Sequence, residues 1–203
     1  MKRLGFLVLL FLSACVTLIN YLGKGYEAYQ KGDLDGAEKF FRQAVKKRPR
    51  DPIAHNNLGV VLEDLERVDE AIPFLKLATV LSKTPYAAPH ANLARAYFEQ
   101  GKLDLAKESC EKAIGIDGQN PVTLLIMANI YCARNEKLAD ARAYARTATE
   151  KLAEPDKPAA WSTLAEAEYK LHNIDGALAA IDTAIALDTD KAFYRQQKAL
   201  YAP

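Results

Sequence analysis

Nucleophiles, metal ligands and surplus charge are all scarce in this chain. It carries three cysteines and three histidines. No Asp, Glu or Cys stands beside His55 or His90 at ligand spacing, and no H-E-x-x-H pair occurs, so no metal site is expected. The chain also lacks a G-x-S-x-G elbow and a glycine loop able to cradle phosphate, which leaves no anchor for covalent or nucleotide chemistry. An enzyme is not expected, and neither is a cofactor. Basic and acidic residues balance at 27 against 26, and no basic stripe interleaves with aromatics, so nucleic acid is not an expected partner.

One region is strongly biased. Lys2 and Arg3 are followed by the apolar run Leu4–Leu12, then by Ser13, Ala14 and Cys15. Positive, apolar and small residues in that order are the layout of a secretion signal. Leu12-Ser13-Ala14-Cys15 resembles the bacterial lipobox. The resemblance implies cleavage of residues 1–14, acylation of Cys15, and a membrane anchor of acyl chains. A signal anchor is the alternative, because the 20 residues Leu4–Gly23 carry no charge and about 20 suffice to span a bilayer. Lys2 and Arg3 place the remainder outside the cytoplasm under either reading.

Beyond the leader, a period organises everything. Alanines recur at Ala37, Ala71, Ala106, Ala141 and Ala177, and again at Ala44, Ala78, Ala113, Ala148 and Ala184. A third small-residue series runs Gly25, Gly59, Ala94, Ala128 and Ala165. Polar breaks such as Lys31-Gly32-Asp33, Gln100-Gly101-Lys102 and His172-Asn173 fall between the third series and the first. The pattern describes helical hairpins whose two helices cross at the small residues. Larger residues fill the space between: Leu58, Leu62, Leu93, Tyr97, Met127, Tyr131, Phe41, Leu75 and Ile181. Such hairpins bury their apolar faces only by stacking on one another.

This resembles the tetratricopeptide repeat (TPR), down to Trp161-x-x-Leu164-Ala165. The resemblance implies an all-α, right-handed superhelical solenoid of about five helix-turn-helix repeats, in a single domain over 15–203. The repeats fall at about 18–51, 52–86, 87–120, 121–157 and 158–191, with a capping helix over 192–202. Lys24 and Glu168 depart from the pattern, and both read as changes in the end repeats. Asp69 as a helix cap would place Pro73 in the first turn of its helix, where no backbone bond is lost. His55 and His90 occupy the place held by Trp161 in the last repeat and read as packed rings, while His172 reads as a solvated turn residue. The offset of the hairpins argues against a disulfide between Cys110 and Cys132.

TPR stacks bind proteins, and the resemblance places the groove on the first helices. It selects Tyr26, Asn57, Asn92, Arg95, Phe98, Asn129 and Tyr169 as groove residues. Amides aimed into a groove can hold an extended peptide backbone, although asparagines there can also bond their own scaffold. The Lys/Asn/Arg set that grips a C-terminal carboxylate in chaperone adaptors is absent apart from Asn57. A narrower resemblance rests on Asn56-Asn57-Leu58-Gly59, the segment Lys83–Leu93 with its two prolines, and Asn120-Pro121. These are similar to the TPR lipoproteins of type IV pilus assembly. That likeness implies a site on the inner leaflet of the outer membrane, facing the periplasm, and a role in assembling secretin subunits. Val16 after Cys15, in place of an inner-membrane-retaining Asp, fits it. An adaptor that presents substrates to a peptidoglycan enzyme or protease is the alternative function, and a signal-anchored inner-membrane protein the alternative placement.

Overall fold

The side-chain oxygens of Asp33, Asp51, Asn120 and Asn173 cap helix starts. The computed structural model describes residues 21–153, 155–188 and 192–202. The leader and Cys15 lie outside them. Among the described residues every regular element is a helix. They are α1 (helical over 21–30), α2 (Leu34–Lys47), α3 (Pro52–Asp64), α4 (Val68–Leu81), α5 (Ala87–Glu99), α6 (Leu103–Ile116), α7 (Pro121–Arg134), α8 (Leu138–Lys151), α9 (Lys157–Lys170), α10 (Ile174–Leu187) and α11 (Ala192–Tyr201). The Asp51 carboxylate accepts from the Ile53 and Ala54 amides, with Pro52 opening α3, and Asn120 accepts from Thr123 ahead of Pro121 in α7. Both satisfy amide groups that a helix start leaves without a partner.

First helices end in a common way. Backbone amides reach back five residues from Asp33 to Ala28, Arg67 to Leu62, Glu136 to Tyr131 and Asn173 to Glu168, at 2.8–3.0 Å. Each turn holds a left-handed residue: Gly32 (φ 75°), Glu66 (60°), Asn135 (53°) and His172 (61°). This is the Schellman closure, which needs positive φ just past the helix. Glycine supplies it without a clash at Gly32, whereas Glu66 and His172 adopt it against their Cβ.

The chain divides into two compact units, the first ending at Gln100 and the second beginning at Gly101. In the first unit α3 packs on α2, α4 and α5; in the second α7 packs on α6, α8 and α9, and α9 on α10. All ten alanines of the two main series are fully buried, as are Ala94, Ala128 and Ala165. Close approach is the reason. A Cβ on Gly59 would stand 2.5 Å from Leu75, and one on Gly25 would stand 2.4 Å from the Phe41 ring. Leu58, Leu62, Leu75, Phe41, Met127 and Ile181 fill the intervals with at most 2% exposure. In the second unit α11 covers the face of α10, burying Tyr194 and Tyr201. Among the described residues each unit is thus all-α and built of stacked helix-turn-helix repeats, with α11 packed on the last of them.

Pro73 is a correction. The Ala71 amide bonds the Arg67 carbonyl at 3.1 Å, so Arg67, not Asp69, caps α4 and Pro73 lies inside the helix. The Asp69 carbonyl consequently has no intrahelical donor. Pro73 is exposed, which leaves that carbonyl within reach of water. Asp69 turns its carboxylate instead to the Gln100 amide, 2.6 Å away.

Lys24 is exposed and sits 5.8 Å over the Phe40 ring. Glu168 is buried at 5% exposure and accepts from Asn173 Nδ2 at 3.0 Å, with Arg142 and Arg146 at 3.8 and 3.6 Å. His55 is buried against Phe74, ring centroids 6.0 Å apart, with Nε2 2.8 Å from the Pro49 carbonyl. His172 is exposed. Cys110 and Cys132 are free, buried thiols, and burial pushes both up to about 12. No helix among the described residues is long and apolar enough to cross a membrane.

Candidate protein-binding face

In the first unit the first helices α1, α3 and α5 carry five of the expected groove residues: Tyr26, Asn57, Asn92, Arg95 and Phe98. The repeat period pairs Asn57 with Asn92, yet the structure connects them through a third amide. Asn92 Nδ2 donates to Asn56 Oδ1 at 2.9 Å, and Asn56 Nδ2 donates to Asn57 Oδ1 at 3.3 Å. The relay ends at Asn57 Nδ2, which is buried and has no partner among the described residues. Asn57 is only 8% exposed. A buried amide donor left unpaired costs about 1–3 kcal/mol.

Asn57 also lines a small apolar pocket, with Tyr26, Tyr29, Phe41, Val60 and Val61. Tyr26 meets the Phe41 ring edge-on, centroids 5.7 Å apart, and is 47% exposed. Tyr29, 37% exposed, donates its phenol proton to Asp64 at 2.6 Å. The pocket therefore offers aromatic walls and an apolar floor with Asn57 in its lining, a combination suited to an apolar side chain of a peptide.

Farther along α3 and α5 the surface becomes charged. Arg95 Nη2 lies 3.0 Å from Glu63, whose side chain is 2% exposed. Burial pushes the Glu63 carboxyl up to about 7, against the pull of Arg95 and with Glu99 and Asp64 adding to the rise. Burial also raises Glu99. Arg95 is thus committed first to Glu63. Phe98, also on α5, is half-buried.

The second unit holds the other two expected residues. Asn129 on α7 accepts from Thr163 on α9 at 2.7 Å. Tyr169 on α9 is 38% exposed and lies 4.7 Å from Tyr201 of α11, whose phenol burial pushes above its usual value. Lys170 donates to the Cys132 carbonyl at 2.8 Å.

Sequence reasoning missed Asn56, Tyr29, Glu63 and Asp64. Tyr29 was visible three residues after Tyr26 on one helix face. Asn56 was not, because the repeat period aligns equivalent positions, whereas neighbouring helices touch with a stagger that the period does not record. Among the described residues no group of three or more His, Cys, Asp or Glu is placed to hold a metal.

A family model described as Tetratricopeptide repeat matches residues 22–88 and 133–192, and a second of the same description matches 87–120. Cellulose synthase operon protein C of Pseudomonas fluorescens (strain SBW25) is 28% identical over 126 residues, which is 59% of this chain and only 10% of that protein. A thermophilic TPR protein of Thermus thermophilus superposes with a TM-score of 0.67 at 26% identity, covering 91% of this chain and 98% of that one. PilW, described as a widely conserved type IV pilus biogenesis factor, superposes with a TM-score of 0.70 at 17% identity, covering 89% and 82%.

Proposed function

Because the chain belongs to the tetratricopeptide repeat family, we propose that it is a lipid-anchored scaffold of the bacterial envelope that holds another envelope protein on its first-helix faces. The reading assigns it no catalysis. Cys15 carries the acyl chains, and the repeats face the periplasm from the inner leaflet of the outer membrane. The ligand is an extended segment of a partner, and a type IV pilus secretin subunit is the partner to test first. The likeness to PilW, a pilus biogenesis factor, supports that choice, as do the Asn56–Gly59 and Lys83–Leu93 segments.

One observation carries the binding reading: the amide relay ends on the unpartnered Nδ2 of Asn57, which also lines the pocket of Tyr26 and Tyr29. Asn129 and Tyr169 extend the candidate set into the second unit. Arg95 acts through its charge and through Glu63, so its removal confounds binding with stability.

Asn57→Leu separates the two. The change removes the unpaired Nδ2 together with the Oδ1 that accepts from Asn56, so a folding cost of about 1–3 kcal/mol is expected and is read by chemical denaturation beside capture. Loss of a hydrogen bond to the partner weakens capture about tenfold, since ~1.4 kcal/mol is tenfold. Tyr26→Ala should weaken capture of a purified secretin subunit as well. Lys112→Ala with Glu108→Ala, an exposed ion pair on α6, should leave it unchanged. Wild-type capture by both Asn57→Leu and Tyr26→Ala refutes the reading. Incorporation of labelled palmitate, abolished by Cys15→Ser, tests the anchor.

A further inference from the structure

The charges of the first unit are segregated by edge. Lys46 and Lys47 close α2, Arg48 and Arg50 follow in the turn to α3, and Lys83 lies in the connection from α4 to α5. All five are exposed. They share one edge, because α3 and α4 are joined as a hairpin that brings the end of α4 beside the start of α3. Burial raises the Tyr86 phenol, just past Lys83, and Tyr26 and Asp51 add to the rise. Asp51 is the one acid in this group of segments, and its carboxylate is already taken by the Ile53 and Ala54 amides. The opposite edge, at the turns within the hairpins, holds Asp33, Asp35, Asp64, Glu66, Asp69 and Glu70 against only Lys31 and Arg67. Cations at a helix C-terminus offset its dipole, which accounts for Lys46 and Lys47. Arg50 and Lys83 lie outside the helices, so the dipole does not account for them.

The chain also enters at the basic edge. Tyr21 and Leu22, the first described residues, pack against Ala44, Val45 and Ala54, one turn from Arg48. Cys15 is six residues before Tyr21, a reach of at most about 20 Å for extended chain. A signal anchor would bring the bilayer closer still. We infer that this edge, with Lys46, Lys47, Arg48, Arg50 and Lys83, rests on anionic phospholipid headgroups and turns the acidic edge of the first unit away from the membrane. The inference depends on the membrane attachment proposed above. Each Lys or Arg held near an anionic surface favours contact roughly fivefold, within a Debye length of about 10 Å. The anchor supplies the proximity, and the cations supply the orientation.

The test uses the full acylated chain, in which Cys15 is already capped and the two remaining native thiols are buried. A donor fluorophore is placed on Pro49→Cys or on Asp35→Cys, positions about 20 Å apart along α2 at 1.5 Å per residue. The acceptor is a headgroup-labelled lipid in vesicles of phosphatidylcholine with or without phosphatidylglycerol. Transfer should be stronger from position 49 than from position 35 when phosphatidylglycerol is present. The difference should be lost in its absence, at high salt, and in the chain carrying Lys46→Gln, Lys47→Gln and Arg50→Gln. Equal transfer from both positions on anionic vesicles overturns the inference, and so does a difference that survives the triple substitution. Flotation with vesicles of phosphatidylcholine alone reads the anchor separately. A chain that floats without orienting sinks only this inference, whereas one that fails to float sinks the anchor and the inference together.

Discussion

Replacing Glu63 by glutamine should change how the stability of this protein depends on pH. The Glu63 side chain is 2% exposed and has one cationic partner, Arg95, at 3.0 Å. Burial outweighs that partner and raises the carboxyl from the ordinary glutamate value of 4.5 to about 7. For a group whose folded value is raised, the stabilising contribution is complete below the unfolded value and is lost as pH rises through the folded one. The wild type therefore loses stability relative to Glu63→Gln between about pH 5 and about pH 8. The gap corresponds to about 3 kcal/mol at ~1.4 kcal/mol per pH unit. Relaxation and water penetration around the buried carboxylate trim the expectation to roughly 1–3 kcal/mol. For a chain of this size that is roughly 2–10 °C in Tm. Thermal melts of both proteins across this range give the result directly. The glutamine keeps an acceptor for Arg95, so the variant should fold, and its curve should draw above the wild type as pH rises. Curves that stay parallel would mean that Glu63 is ionised throughout and that the Arg95 pair, not burial, controls it.

Two further expectations concern the repeat packing. Gly59→Ala places a methyl 2.5 Å from Leu75 and should cost about 1–3 kcal/mol by overpacking, whereas Gly115→Ala in α6, with nothing within 4 Å, should gain up to about 1 kcal/mol of helix propensity; chemical denaturation distinguishes them, and equal shifts would break the assigned crossing. Cys110 and Cys132, both buried and pushed up to about 12, should resist alkylation in the native protein at neutral pH and react once it is unfolded, and rapid native labelling would place either thiol at the surface.

The amino-acid sequence determined the period and everything the period controls. Ala37 and its successors had to be small because two helix backbones meet there, and a recurrence at fixed spacing exposes that constraint without any coordinates. Gly32 declared its turn for a similar reason, since positive φ favours one residue type. Glu66 and His172 take the same conformation without a glycine to announce it, because the closure of the preceding helix forces it on them. The site was only half legible. Tyr26, Asn57, Asn92 and Arg95 could be placed on first helices, but the period aligns equivalent positions and says nothing of the stagger between neighbouring helices. Tertiary packing alone decided that Asn92 bonds Asn56 and that Asn57 ends the relay unpaired. It also decided that Arg95 is committed to a buried Glu63, and that Arg67 starts α4 early enough to carry Pro73 into the helix. Such contacts depend on distances between side chains on different helices. A repeat pattern fixes which faces meet, while the packed volumes fix which atoms touch.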